Sequence, residues 1–214
     1  NIFYSIYFMK LVEHLKVSKG MTMNELMKGM SKVGVMGCGR LAQAADILEV
    51  MIKDEHCTVF FGQAGALIPG GMRTILVDLL KHRFVHVFVT TGATLTHDLA
   101  EALGVHHEVG SAHADDAELH KKGKDRMWDS YMPNEVYEKM EDFFEKHWDS
   151  FSQARTISEL IHLIGSILSD KNSLLRVAYE QKIPVFCPAL ADSGIGLMIY
   201  GRKAKGKQIV IDAF

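Results

Sequence analysis

A surplus of basic residues is missing from this chain. Its 24 lysines and arginines stand against 26 aspartates and glutamates, for a net charge of −2 and a pI near 6.6. That balance excludes the electrostatic footprint of a nucleic-acid binder. Cysteine is scarce: Cys38, Cys57 and Cys187 are scattered and odd in number. This argues against a secreted disulfide scaffold and for a reducing, cytoplasmic setting. Long hydrophobic runs are also absent. The apolar, aromatic start NIFYSIYFM is too short to span a bilayer, and it lacks the basic flank and small-residue cleavage site of a leader, so no membrane partner is expected. The chain does not begin with Met, so we read Met9 as the natural start and residues 1–8 as a non-native extension. No internal repeat, low-complexity run or linker interrupts the rest, and residues 9–214 read as a single domain. No P-loop ending in G-K-[ST] is present, which disfavours ATP hydrolysis.

What is present is an alternation of strands and helices. Val85 to Val89 is a short, largely β-branched run. It breaks at Thr90-Thr91-Gly92-Ala93 and leads directly into a helix with Leu95, Leu99, Ala102 and Leu103 on one face, for which Thr94 or Thr96 is the expected N-cap. Cys57–Phe61 and Ile183–Cys187 read as two more buried strands, each followed by a loop of small residues and a helix. Gln208–Ile211 reads as a last strand. Helices are predicted over residues 24–33, 40–53, 72–80, 134–151, 156–168, 173–182 and 197–204, with a capping box at Thr156 and Glu159. Residues 115–125 read as a charged, exposed stretch. The predicted fold is α/β: a Rossmann-like parallel sheet with helices on both faces. Because the chain stops just after a strand, the sheet reads as incomplete at its C-terminus.

Three loops at strand C-termini carry the chemical signal: Gly62–Gly71, Thr90–Thr94 and Pro188–Gly196. Strand, tight turn and helix N-terminus together offer backbone N–H groups and a positive dipole end to an anion, and such sheets bind ligands at the carboxyl ends of their strands. Asp192 is the acid among these loops. It either accepts from ribose hydroxyls or caps the following helix. Gly37-x-Gly39-x-x-Ala42 matches a dinucleotide fingerprint on paper, but no good strand precedes it, so we read it as a glycine-rich helix entry. His97, His106, His107, His113 and His120, with Asp115 and Asp116, have no standard metal-ligand spacing and read as a solvated His-rich region, with no metal site. Cys187 has no activating base in view and reads as packing.

The segments FFGQAGALIPGGMR, VFVTTGATLTHDL, HADDAELHKKGKDR with YMPNEVYE, and IPVFCPALADSGIG resemble, in that order, the deoxyhypusine synthase family, in particular its archaeal and bacterial branch. The resemblance runs from about Met9 to Phe214. It implies a Rossmann-like fold, a homotetramer, and NAD-dependent aminobutyl transfer from a spermidine-like polyamine to an acceptor amine by way of a lysine imine. The acceptor it implies is a lysine of the hypusine-carrying translation factor or a free polyamine. Position by position, it implies dinucleotide contacts at Gly65, Ala66, Leu67, Ile68 and Pro69, at Thr91, Gly92 and Ala93, and at Asp192. It puts the polyamine-facing pair at Thr96 and His97, where other members carry acids, and a further acid of those members at Leu197. A partly protonated His97 would repel an ammonium, so the resemblance implies a weakened site for spermidine. The family's nucleophilic lysine falls beyond Phe214, and none of Lys203, Lys205 and Lys207 fits its motif. Residues 1–214 therefore read as lacking the catalytic segment, with an inactive binding or regulatory subunit as the alternative.

Overall fold

The computed structural model describes residues 10–207 and 209–212. The extension predicted at residues 1–8 and the start at Met9 lie outside the described residues. The chain divides into two compact units, Asn1–Cys57 and Thr58–Phe214.

In the first unit, α1 (Met23–Val33) and α2 (Met36–Lys53) form a helical hairpin. Thr22 and Glu25 cap α1 reciprocally: the Thr22 hydroxyl accepts from the Glu25 N–H at 3.2 Å, and Glu25 Oε2 accepts from the Thr22 N–H at 2.8 Å. Gly34 ends α1 at φ +70°, a left-handed conformation that glycine adopts without steric cost. Gly37, Gly39 and Ala42 all lie inside α2, with α1 and not a strand before them. The fingerprint match is therefore a glycine-rich helix entry, as its context suggests.

The second unit holds two sheets. β1 (Phe60–Gln63), β2 (Val87–Thr90) and β6 (Val185–Phe186) run parallel in the order β1-β2-β6. Phe61 pairs with Phe88, and Phe88 with Val185. Between these strands lie the 3-10 turn Gly65–Leu67 and the helices α3 (Arg73–Lys81) and α4 (Gly92–Ala102). They are followed by α5 (Asp116–Lys121), α6 (Glu135–Phe151), α7 (Ile157–Ile167) and α8 (Leu174–Gln181), and α9 (Gly194–Ala204) follows β6. β3 (Glu108–Val109), β4 (Lys124–Met127) and β5 (Ser130–Pro133) form a separate antiparallel sheet in the order β3-β5-β4.

The parallel sheet is a mixed α/β core, as the alternation of elements predicts. Phe88 is buried and stacks on Phe61, with ring centroids 6.0 Å apart. On α6, Val136, Met140, Phe143, Phe144, Trp148 and Phe151 are buried, the spacing of one helical face. Several expectations need correction. The antiparallel sheet has no counterpart in the sequence reading, because its strands are two to four residues long and show no clean alternation of apolar and polar residues. Residues 115–125 are mostly exposed, as expected, and part of them forms α5, which Asp115 caps through the Ala117 N–H at 2.8 Å. Gln208 lies outside the described residues, and residues 209–211 are not a strand. Among the described residues there is a parallel bridge between Thr156 and Asp212, in which the Ile157 N–H donates to the Asp212 carbonyl at 3.0 Å and the Asp212 N–H to the Arg155 carbonyl at 2.8 Å.

Candidate active site

With the three strands parallel, the loops after β1, β2 and β6 meet at one edge of the sheet. Small residues allow the approach. A Cβ on Gly65 would lie 2.7 Å from the Ala93 Cβ, and one on Gly92 would lie 2.5 Å from Ser193 Cβ and Oγ. The turn after β1 therefore rests on the start of α4, and the start of α4 rests on the loop before α9. The N-cap of α4 is Thr91, not Thr94 or Thr96, which are buried inside the helix. Thr91 makes no side-chain cap bond to the helix. The first turn of α4 thus keeps its dipole end without a side-chain acceptor, a favourable place for an anion. The third loop is different. Ser193 caps α9 by accepting from the Gly196 N–H at 3.2 Å. Asp192 is therefore not the cap; it is exposed, and its carboxylate has no partner among the described residues.

Gly65, Ala66, Pro69, Ala93 and His97 line one cavity of about 560 Å³, whose other side is Met127, Trp128, Asp129 and Ser130 from the β4–β5 hairpin. A neighbouring cavity of about 590 Å³ shares Pro69, Asp129 and Ser130 and adds Ile68, Arg73, Glu101, His107 and Glu108. Ile68 is itself mostly core, at 3% exposure. Leu67 is exposed, and Leu67, Thr91, Gly92 and Asp192 do not line either cavity. Thr96 is buried, and its hydroxyl accepts from the Ile195 N–H at 3.2 Å, so it is committed to α9.

His97 belongs to a hydrogen-bonded chain that sequence reasoning missed. Its Nδ1 lies 2.9 Å from His107 Nε2, His107 Nδ1 lies 2.6 Å from Glu101 Oε1, and His106 Nδ1 lies 2.7 Å from Glu101 Oε2. Burial pushes Glu101 up, but the hydrogen bonds from His107 and His106 prevail and hold its carboxyl at about 2. Burial, with His107 alongside, holds His97 down at about 4 against the raising effect of Glu101. His97 is therefore neutral near pH 7, which corrects the expectation that it would repel an ammonium. An ionised carboxylate only accepts, so His107 carries its proton on Nδ1. The tautomers of the two rings set which of His97 Nδ1 and His107 Nε2 donates in their hydrogen bond. Among the described residues no three His, Cys, Asp or Glu side chains gather as a metal site.

Two further groups settle roles. Asp98, the neighbour of His97, is fully buried and accepts from Arg73 Nε at 2.8 Å, from the Ser173 hydroxyl at 2.7 Å and from the Leu175 N–H at 3.0 Å. It braces α3, α4 and α8 from inside. Cys187 is buried, and burial pushes its thiol up to about 11 against a lowering hydrogen bond from Ala189. It is thus a packing residue and not a thiolate nucleophile.

A sequence model of deoxyhypusine synthase matches residues 25–214. The chain belongs to the deoxyhypusine synthase family. Over 204 residues it is 40% identical to a Methanosarcina mazei protein named probable deoxyhypusine synthase 1, covering 95% of this chain and 64% of that protein. A probable deoxyhypusine synthase from Methanothermobacter thermautotrophicus is 37% identical over 205 residues, covering 94% of this chain and 66% of its own length. This member of the family thus spans about two thirds of the length of the relatives it matches. The crystal structure of an Entamoeba histolytica protein assigned as a deoxyhypusine synthase superposes with a TM-score of 0.66, covering 91% of this chain and 68% of that one at 21% identity. At that identity the likeness speaks for the fold. No helix among the described residues is long and apolar enough to cross a membrane.

Proposed function

We propose that the protein takes part in NAD-dependent aminobutyl transfer from a spermidine-like polyamine to an acceptor amine, as a deoxyhypusine synthase or a homospermidine synthase-like enzyme. Family membership supports the reaction class. The observation that carries the assignment to this chain is the single cavity wall that gathers Gly65, Ala66, Pro69, Ala93 and His97 from two separate βα loops.

The chain's residues fit a dinucleotide. Gly65 and Gly92 let the loops close up where a Cβ would collide with Ala93 and Ser193. The N-terminus of α4, without a side-chain cap, suits a pyrophosphate, and the exposed Asp192 suits ribose hydroxyls. On this reading Gly65–Pro69, Thr91–Ala93 and Asp192 hold the cofactor, and NAD, when bound, supplies the oxidant for the amine. Thr96 supports the site by fixing α9. His97 stands on the donor side, lining the cavity as an uncharged ring that does not repel a polyamine. The same reading makes the protein a cytoplasmic homotetramer that acts on a lysine of the hypusine-carrying translation factor or on a free polyamine.

The test uses the full-length protein with NAD and spermidine. The expected result is NADH fluorescence on adding the polyamine, with release of diaminopropane seen by mass spectrometry. Neither product from spermidine or from any related polyamine would remove the proposal.

A further inference from the structure

We infer that the tip of the β4–β5 hairpin, Trp128, Asp129 and Ser130, together with His97, forms a subsite for a primary ammonium group. The inference deepens the proposed function and rests on it for the identity of the amine, but it comes from a different wall of the cavity.

The first observation is a carboxylate without a partner. Three acids line the two joined cavities. Glu101 is occupied by His106 and His107, and Glu108 is paired with Lys124. Asp129 makes no side-chain bond among the described residues; only its carbonyl is used, accepting from the Gly110 N–H at 2.7 Å. The second observation is a hydroxyl. Ser130 Oγ is buried and has no hydrogen-bond partner, although Ser130 lines both cavities. Buried polar groups are normally satisfied, so an orphan on a cavity wall marks a place where a ligand donor or acceptor fits. The third is Trp128, an indole 75% exposed that borders the same cavity and offers the aromatic face that attracts a cation.

Asp129 can only accept, Ser130 can accept, Trp128 offers an electron-rich face, and no unpaired cation stands among them. Arg73 of the neighbouring cavity is tied to Asp98 and Asp170. His97, which lines the same cavity, adds an uncharged ring in place of a positive charge, because burial disfavours its protonated form. An ammonium has three N–H donors to place. Asp129 offsets its charge and accepts one of them, and Ser130 Oγ accepts another. A phosphate or a carboxylate would meet the Asp129 carboxylate on this side and no unpaired cation to offset it.

The experiment measures amine binding directly, by calorimetry of the full-length protein with putrescine and with spermidine, in parallel with NAD binding. Asp129→Asn and Trp128→Ala are each expected to weaken amine binding by about tenfold or more, with NAD affinity unchanged. Asp129→Asn is also expected to flatten the salt dependence of amine binding. Asp129 carries no structural side-chain bond, so both variants should fold, and matching melting curves establish this. If both variants bind amines as the wild type does, or if the wild type binds none, the subsite is wrong. If amine binding is lost in the variants while the wild type makes neither NADH nor diaminopropane, the subsite stands and the proposed reaction falls. If the reaction proceeds in the wild type and both variants keep its KM for the polyamine, the reaction stands and the subsite falls.

Discussion

Behind the parallel-sheet wall of the cavity, buried side chains are bonded across from one element to the next, whereas on the hairpin wall several polar groups are left available. The Thr90 hydroxyl donates to the Gln63 carbonyl at 2.9 Å, Thr96 accepts from Ile195, and Asp98 accepts from three donors. Across the cavity the Asp129 carboxylate has no partner among the described residues, Ser130 Oγ is an orphan and Trp128 is exposed. The first wall uses its chemistry to hold three loops in place. The second holds chemistry in reserve. Scaffold and recognition are thus divided between two sheets, and substitutions on the two walls should separate stability from binding.

The largest effect is expected at Asp98. Removing the carboxylate by Asp98→Ala leaves Arg73 partly unpaired and strips Ser173 and the Leu175 N–H of their acceptor. The loss of a buried, multiply bonded charge costs about 3–5 kcal/mol, read by urea unfolding. A cost below about 1 kcal/mol would show that the scaffold wall does not depend on this network. Next comes Gly92→Ala. Its Cβ would meet Ser193 Cβ and Oγ at 2.5 Å, so the loop before α9 must give way. Overpacking of this kind costs about 1–3 kcal/mol, and the same denaturation curves would show it. An unchanged midpoint would mean that the two loops are not in firm contact.

The scaffold wall was the more legible of the two in the sequence. Valine-rich β2, its small-residue turn and the stripe Leu95, Leu99 announce a strand–turn–helix unit by local pattern alone, and the capping box at Thr156 and Glu159 fell where the residues put it. The N-cap of α4 was misplaced because several threonines compete, and packing decided for Thr91 by burying Thr94 and Thr96. The hairpin wall was hidden. Lys124–Met127 and Ser130–Pro133 show no clean alternation, and Trp-Asp is not a typical hairpin turn. The link from His97 to His107 joins residues ten apart through a helix end and a turn, a contact that no periodicity encodes. With that link unseen, His97 was expected to be partly charged, whereas its surroundings keep it neutral.

That neutrality gives a pH signature of intermediate size. His97 is held at about 4 in the folded protein against an ordinary 6.5. Between those values the unfolded chain binds more protons, so stability is full above pH 6.5 and falls as pH drops toward 4. Glu101, held at about 2 against 4.5, adds a loss as pH falls below 4.5. His97→Gln keeps a hydrogen-bonding partner for His107 but cannot titrate. Compared with wild type, its melting temperature should fall less steeply between pH 6.5 and 4, a difference of about 1–2 kcal/mol once solvent screening is allowed for. Parallel curves for the two proteins would mean that His97 titrates normally and that the relay does not set its charge.

The smallest change in stability, and the one of opposite sign, is expected at the tip of the hairpin. Trp128 sits at φ +60°, a left-handed conformation that costs a residue with a side chain about 1 kcal/mol relative to glycine. Its indole is largely exposed, so little burial offsets that strain. A turn selected for folding alone would carry glycine or asparagine there. Strain retained at a cavity wall is a mark of use. Trp128→Gly is therefore expected to stabilise the protein slightly, by up to about 1 kcal/mol, while amine binding weakens as it does in Trp128→Ala. The two signs must occur together. If Trp128→Gly destabilises the fold by as much as Gly92→Ala, the indole is part of the scaffold after all, and the division between the two walls fails at the residue where it should be clearest.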